Sequence, residues 1–421
     1  MVGCESTLLP ITLASPATTN RIGDVALVRG IWLLVLAQIL STFPASATGI
    51  FLPDMAADAG SDMALVGRLR GLGGAAALIC GILAAPLIDR LGRAWAISGG
   101  LTLLAVGAFL ATFGSIPALA VFFALAGAAG AVSEPAVQSA AADGRDAATG
   151  ARAAAMISAF RALSPMLAAP LLAAPALFWG WRGDFLAMAI GCLVIAGAAA
   201  ATLARRPIAG LARPTYVAAL RIVGSAPGAL PLVMGSTLRA TLQFAWLTYL
   251  AAFLVERFGA STVDVAFTWT LGGTGFFIAN LLVGRLIGTA AASGWRTPER
   301  LLAVSLVALT ILTPMGLLVA TLPVAMLIAG LTAAAHGAII AVTISLLVGR
   351  YTPIRGAVLG LNAAGANLGL FVGAAIGGSA LGWAGYNGLT VTLVLLAATT
   401  SAVTVWALRS AGSAATSVAE R

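Results

Sequence analysis

Charged side chains stand inside several long apolar runs of this chain, where a charge costs about 2.5–3.5 kcal/mol if it reaches the centre of a bilayer. Glu134 is the one carboxylate well inside such a run, and a carboxyl in an apolar cavity can bind and release a proton near neutral pH. Arg161, on the following run, could instead hold Glu134 in a static ion pair. His336, the only histidine, could titrate near neutrality or could be a hydrogen-bonded packing residue. Glu134, Arg161 and His336 are therefore the candidates for proton binding.

A second polar set lies near the centre of a later run. Arg239, Gln243 and Trp246 follow each other at helical spacing and share one helix face. A guanidinium beside an amide and an aromatic ring could bind an anionic or polar compound, or Arg239 could instead meet backbone carbonyls or Glu134. The candidates for lining a substrate cavity are Gln38, Arg70, Arg239, Gln243, Trp246 and Asn362.

The residue patterns of catalysis and metal binding do not occur in the sequence. There is no HExxH, GxSxG or phosphate-binding GxxxxGK[ST] motif, and the three cysteines are too widely spaced for a metal cluster or a disulfide framework. The net charge of +9 is dispersed over short loops, whereas nucleic-acid binding needs a basic patch. We expect no enzyme, no cofactor, no metal site and no nucleic-acid partner.

The elements that carry these residues must lie in a membrane. With 60% hydrophobic and only 9% charged residues among 421, the chain lacks the polar surface of a soluble protein. The apolar runs are continuous and long enough for helices of about 20 residues, whereas barrel strands alternate apolar and polar residues. We predict an all-α integral membrane protein with twelve transmembrane helices, numbered as spans one to twelve, over 28–52, 64–88, 95–113, 116–140, 153–178, 184–204, 227–253, 263–289, 300–320, 323–349, 356–380 and 386–408.

The charges of the loops predict the orientation, because arginines concentrate on the cytoplasmic side of membrane proteins. With the N-terminus inside, the cytoplasmic loops hold Arg90, Arg93, Arg145, Arg152, Arg205, Arg206, Arg213, Arg221, Arg296, Arg300, Arg350 and Arg355. The opposite loops hold the acids Asp54, Asp58, Asp62, Asp184, Glu256 and Asp264, with Arg182 and Arg257. We predict a multi-pass protein of the cell inner (plasma) membrane with both termini cytoplasmic.

Between spans two and three, residues 85–93 read APLIDRLGR, which sets Asp89, Arg90 and Arg93 in a tight turn where Gly92 permits a sharp backbone bend. A weaker copy, GRLIG, ends at Gly288, 199 positions after Asp89.

Other landmarks also recur at about this distance. Trp181 and Trp383 are 202 positions apart, and Arg152 and Arg355 are 203 apart. The offsets predict two pseudo-symmetric six-helix bundles with a substrate site between them. The expected parts are a cytoplasmic tail at 1–25, an N-terminal bundle at 26–204, a basic linker at 205–225, a C-terminal bundle at 226–408 and a tail at 409–421.

Twelve spans, the six-plus-six repeat, the basic central loop and APLIDRLGR together resemble the major facilitator superfamily, whose signature in this loop is G-x-L-a-D-R-x-G-R-R/K. The strings FLPDMAAD, FWGWRGDF and TYLAAFL are similar to its drug/proton antiporter branch. The resemblance implies that Asp89, Arg90, Gly92 and Arg93 form a conformational latch that holds the halves together in the outward-open state. Gly288 replaces the second aspartate, so such a latch is one-sided.

The resemblance implies a monomeric secondary transporter in the lipid bilayer that works by alternating access. Our first hypothesis is proton-coupled efflux of a small apolar or amphipathic compound. Two positions depart from the antiporter pattern: Phe123 stands where the branch has an arginine, and residues 169–174 read APLLAA instead of GPxxGG. The alternative is an importer or uniporter of a small organic anion, indicated by the excess of intramembrane arginine over carboxylate.

Overall fold

The computed structural model of the protein describes residues 24–143, 145, 147–203, 216–289 and 298–419, and within these ranges every regular element is helical. The helices are α1 (Asp24–Ile50), α2 (Leu52–Asp58), α3 (Met63–Leu91), α4 (Arg93–Ala111), α5 (Ile116–Ala142), α6 (Ala147–Thr202), α7 (Tyr216–Gly224), α8 (Ala229–Phe258), α9 (Thr262–Thr289), α10 (Pro298–Leu318), α11 (Leu322–Arg350) and α12 (Arg355–Ala419). Ten helical segments of these ranges are long and apolar enough to cross a membrane.

The helices α6 and α12 each consist of two arms joined at a sharp break. In α6 the break has φ −139° and ψ 25° at Trp179, then φ 58° and ψ −147° at Gly180. In α12 the same angles recur at Ala384 (−140°, 24°) and Gly385 (57°, −149°). When both helices are divided at these breaks, the described part of the chain holds twelve long helices, which confirms the predicted fold class. The predicted and observed ends agree to within a few residues at most helices.

The breaks also correct the predicted register of the repeat. Gly180 and Gly385 are 205 positions apart, so Tyr386 takes the place of Trp181 in the second half, and the matched tryptophan Trp383 lies three residues earlier. Only glycine adopts this combination of positive φ and extended ψ without strain. The two halves are therefore aligned correctly by their matching backbone angles and not by their tryptophans.

Small residues allow the helices of each bundle to pack backbone against backbone. A Cβ at Gly127 of α5 would collide with the backbone of Gly73 in α3, and a Cβ at Gly373 of α12 would collide with that of Thr241 in α8. Helices in lipid depend on such close approach, because no hydrophobic force drives them together. In this way α3 to α6 and α1 form one bundle, and α8 to α12 form the other.

Two short helices were not anticipated. The seven-residue α2 follows α1 directly and begins with Pro53 in its first turn. The helix α7 lies within 205–225, which was predicted to be a linker. Residues 1–23 and 204–215 lie outside the described residues, so the predicted tail and the rest of the linker stay predictions.

The two ends of the molecule differ in charge. The Trp181 end, as we name it, holds the connections around residues 51–62, 112–115, 179–182, 259–261, 319–321 and 384–385, and the Arg93 end holds those around 92, 143–145, 225–228 and 351–354. Asp54, Asp58 and Asp62 lie at the Trp181 end, and Arg350 and Arg355 lie at the Arg93 end.

Candidate transport cleft and gate

At the Trp181 end, the two bundles close on each other through α3 and α12. A Cβ at Gly74 would stand 2.5 Å from both the Asn367 oxygen and the Phe371 nitrogen of the α12 backbone. One turn away, a Cβ at Gly71 would stand 3.1 Å from the Phe371 carbonyl oxygen. We name this packing of α3 on α12 the glycine contact. At these two glycines there is no room for a larger side chain between the bundles.

Three further contacts seal the same half of the molecule. Gly67 of α3 packs directly on the ring of Tyr249, and this buried tyrosine donates a hydrogen bond to the Ala374 carbonyl at 2.8 Å. A Cβ at Gly273 of α9 would collide with the α6 backbone at Met166. Gly49 of α1 and Trp269 of α9 are packed equally tightly. The first bundle therefore touches the second at several places from the Trp181 end to mid-helix.

Toward the Arg93 end, the same face of α12 turns to open space. Gly356 and Gly360 lie at helical spacing from Asn367 and Phe371, so they share the face that packs on α3 farther along. A Cβ on either glycine would meet no described atom within 4 Å. In the part of the chain that the structure describes, a cleft between the bundles thus opens at the Arg93 end.

Glu134 and Arg161 form an ion pair on the wall of this cleft. The Glu134 Oε2 and the Arg161 Nη1 are 2.6 Å apart, and their side chains are 22% and 50% exposed. Arg161 lies one turn before Pro165, where α6 meets α9 of the other bundle, so it sits on the face of α6 that is turned toward that bundle. The structure therefore contains the ion pair that the sequence suggested, and the choice between a static role and a proton-binding role for Glu134 stays open.

Arg239 and His336 lie near each other inside the C-terminal bundle, away from the glycine contact. The Arg239 Nη1 donates to the Gln243 Oε1 at 2.6 Å, as expected for residues one turn apart. His336 of α11 lies near enough to Arg239 to interact electrostatically with it, and it lines a small cavity together with Trp246. The side chains of Arg239 and His336 are only 5% and 2% exposed. The alternative in which Arg239 meets Glu134 is wrong for this conformation.

The other cavity candidates are covered in this structure. Arg70 is buried, on the same face of α3 as Gly67 and Gly74, and its Nη2 donates to the Ala45 carbonyl at 3.1 Å. It thus belongs to the closed contact and not to an open cavity surface. Gln38 is fully buried, and neither of its amide atoms has a hydrogen-bond partner in the described ranges. Asn362 is partly buried, and its Oδ1 also lacks a described partner.

The predicted latch is described only in part. Gly92 has φ 83° and caps the start of α4, which confirms the sharp bend. Arg93 donates to the Ser139 carbonyl at 2.9 Å and pairs with Asp143, so these contacts hold α4 to α5 of its own bundle. The side chains of Asp89 and Arg90 lie outside the described residues, and their role as a latch stays a prediction.

Sequence reasoning missed a polar cluster at the Trp181 end. Asp58 accepts hydrogen bonds from the Trp181 Nε1 at 2.7 Å and from the Arg182 Nη1 at 2.5 Å. The Arg182 guanidinium also lies 4.9 Å from the centre of the Trp181 ring. Asp184 was expected in a loop, but it is 1% exposed within α6, because the helix resumes directly after Gly180. Residues 180–184 read GWRGD, and these glycines and charged residues suggested a loop. The sequence therefore did not indicate that the second arm of α6 begins directly after Gly180.

Three comparisons place the chain among known proteins. Residues 34–296 match the Major Facilitator Superfamily. A comparison with curated proteins finds no match. The structure is similar to two crystal structures of a bacterial homolog of the human lysosomal transporter Spinster, in inward-facing unoccupied and inward-facing occupied conformations. Both are 18% identical in sequence, with TM-scores of 0.70 and 0.69, and the matches cover 92% and 91% of this chain and 98% and 97% of that chain. This likeness supports the fold alone, whereas the family match covers more than half of the sequence. The chain belongs to the Major Facilitator Superfamily, and it is a secondary transporter that works by alternating access.

Proposed function

We propose that this transporter exports a small apolar or amphipathic compound in exchange for protons, and that it does so as a monomer of the drug/proton antiporter type. The observation that carries the proposal is the ion pair between Glu134 and Arg161, which lies on the cleft wall and is partly exposed. A proton reaching Glu134 would neutralise it and release Arg161, whereas departure of the proton would restore the pair. Because the two charges attract each other only while Glu134 is ionised, this exchange can bias the cleft between two arrangements.

We further propose that the Trp181 end faces the outside of the plasma membrane, so that the conformation described above is inward-facing. Two observations support this orientation: arginines gather at the Arg93 end, as the charge rule for cytoplasmic loops requires, and the similar solved structures are inward-facing. With twelve spans, both termini are then cytoplasmic.

Labelling in intact cells tests the orientation. In a chain without its three cysteines, Ala57→Cys at the Trp181 end is expected to react with a membrane-impermeant maleimide, and Ser225→Cys at the Arg93 end is not. Both positions are exposed, so a difference in labelling reports the side of the membrane and not the burial of the residue. The reverse pattern would overturn the assignment.

Proteoliposomes with an imposed pH gradient test the proton coupling. Glu134→Gln is expected to abolish transport driven by the gradient while substrate exchange between the two sides continues, because exchange needs no net proton movement. Arg182→Gln, which removes an arginine paired with Asp58 at the Trp181 end, serves as the matched control and should leave the coupling intact. Coupled transport by Glu134→Gln would contradict the proposal.

A second candidate, an importer or uniporter of a small organic anion, is favoured by one specific observation. Arg70 and Arg239 are both buried in helices, and neither has a carboxylate partner among the residues described. The same proteoliposomes discriminate the two functions. Anion uptake would respond to membrane potential and fail in Arg239→Gln, whereas proton-driven export would respond to the pH gradient and fail in Glu134→Gln.

A further inference from the structure

The cavity beside His336 is a built site inside the C-terminal bundle, separate from the cleft between the bundles. Its walls come from three helices: Leu242 and Trp246 of α8, Thr313 and Gly316 of α10, and Thr332 and His336 of α11. His336 is 2% exposed, and both of its ring nitrogens lack a hydrogen-bond partner in the described part of the chain. An imidazole always carries at least one N–H donor, so a donor is available for a ligand in the cavity.

Arg239 gives this region a positive charge that no carboxylate of the described residues compensates. Leu242 and Trp246, which line the cavity, lie one and two turns beyond Arg239 on the same face of α8. Arg239 is not itself part of the lining, but it lies near enough to His336 to interact electrostatically with it. Its Nη1 is held by Gln243, whereas its Nε is buried without a described partner. An arginine keeps its charge in proteins, so burial cannot be relieved by loss of a proton.

The described carboxylates of the membrane interior do not serve as its counter-ion. Glu134 pairs with Arg161, and Glu299 pairs with Arg350 at a helix end. Glu256 and Asp264 lie at the Trp181 end of α8 and α9, well away from Arg239 along the helix axis. A buried charge without a partner is strongly destabilising, so an ion of opposite charge would be favoured here.

We propose that a compact monovalent anion, of the size of chloride, binds in this cavity as the counter-ion of Arg239 and accepts a hydrogen bond from His336. The hydroxyls of Thr313 and Thr332 now donate to carbonyls of their own helices, at 2.7 Å each, and by rotating they can donate to the anion instead. The anion is either a resident halide or the carboxylate of a transported compound. The site does not depend on the direction of transport.

Gly316 offers a variant that narrows the cavity without disturbing the fold. A Cβ at this position would stand 3.4 Å from the Ile328 side chain and 3.9 Å from the Trp246 ring, which are ordinary packing distances. Gly316→Ala therefore reduces the space for an ion while every charged group stays in place.

Thermal unfolding of the purified protein in sodium chloride and in sodium methanesulfonate of equal ionic strength tests the proposal, because methanesulfonate is neither a halide nor a carboxylate. We expect a saturable rise of Tm with chloride and with bromide in the wild type, no such rise in Arg239→Gln, and a weaker one in Gly316→Ala. Arg161→Gln, which removes an arginine that has a carboxylate partner, should keep the chloride response. Equal Tm values in chloride and methanesulfonate for the wild type would overturn the proposal, and so would an undiminished response in Gly316→Ala, even if Arg239→Gln does not fold.

Two further measurements distinguish a resident halide from the carboxylate of a transported compound. Iodide quenching of fluorescence that is lost in Trp246→Phe would support a resident halide in the cavity. Displacement of that iodide by small organic carboxylates, at the concentrations at which they are transported, would support the substrate's carboxylate instead. Absence of both iodide quenching and displacement would count against the site. Proton-driven transport measured in gluconate tests the function proposed above separately, since it does not require a halide.

Discussion

Replacing Gly74 with alanine tests whether the glycine contact holds the Trp181 end closed. The new Cβ would stand 2.5 Å from two backbone atoms of α12, which cannot rotate away, whereas ordinary Cβ contacts lie at 3.4–4 Å and real ones essentially never fall below 3.0 Å. The helices α3 and α12 must therefore part by about 1 Å at this point, and overpacking of this kind costs about 1–3 kcal/mol. Because about 1.4 kcal/mol is a factor of ten, the ratio of closed to open molecules should fall by roughly 5- to 150-fold.

Distances between spin labels at Ala57 and Asn387, two exposed positions of the Trp181 end on opposite bundles, measure this shift. Gly74→Ala is expected to add a population with a longer distance. Gly99→Ala is the matched control, because a Cβ at Gly99 meets no atom within 4 Å. Unchanged distances in a folded Gly74→Ala protein would show that the glycine contact does not decide the closed state.

Two other predictions concern stability. Asp184→Leu should raise the Tm, because it replaces a buried carboxyl without a described partner by a leucine, the residue type found at the equivalent, fully buried position Leu389 of the second half. Removing the unsatisfied group and burying a leucine should add about 2–4 kcal/mol to the free energy of unfolding, and Leu389→Asp should lower the Tm. A lower Tm of Asp184→Leu would refute the equivalence of the two positions. Gly180→Ala and Gly385→Ala should each cost about 1–3 kcal/mol through backbone strain alone, as neither Cβ would meet an atom, whereas Gly382→Ala within a helical arm should be neutral or slightly stabilising. A scan of Tm across the three glycine variants checks this, and equal values would contradict the strain argument.

The sequence allowed the helices to be predicted because the membrane imposes one length and one periodicity on every span. Continuous apolar runs gave all twelve helices, and helical spacing alone brought Arg239 to Gln243. The neighbouring spans four and five could be recognised as partners, so the pair of Glu134 and Arg161 was among the stated alternatives. Each of these inferences depends on contacts within one helix or between consecutive helices.

Contacts between distant helices could not be predicted in the same way. His336 meets Arg239 only because α11 packs on α8, and an all-apolar helix carries little information about which side faces a neighbour. The burial of Asp184 was hidden for a different reason, since the break at Gly180 depends on backbone angles. A glycine next to a tryptophan suggested a loop, and the tryptophans then gave a repeat offset three residues too short.

The glycine contact between α3 and α12 also affects how well the closed transporter holds back ions. At Gly74 the backbone of α3 lies directly against the backbone of α12, so rotation of a side chain cannot open a path at this point while the helices stay in place. Water and ions can pass this point only when whole helices separate, so a leak that would dissipate the ion gradient is prevented as long as the contact is closed.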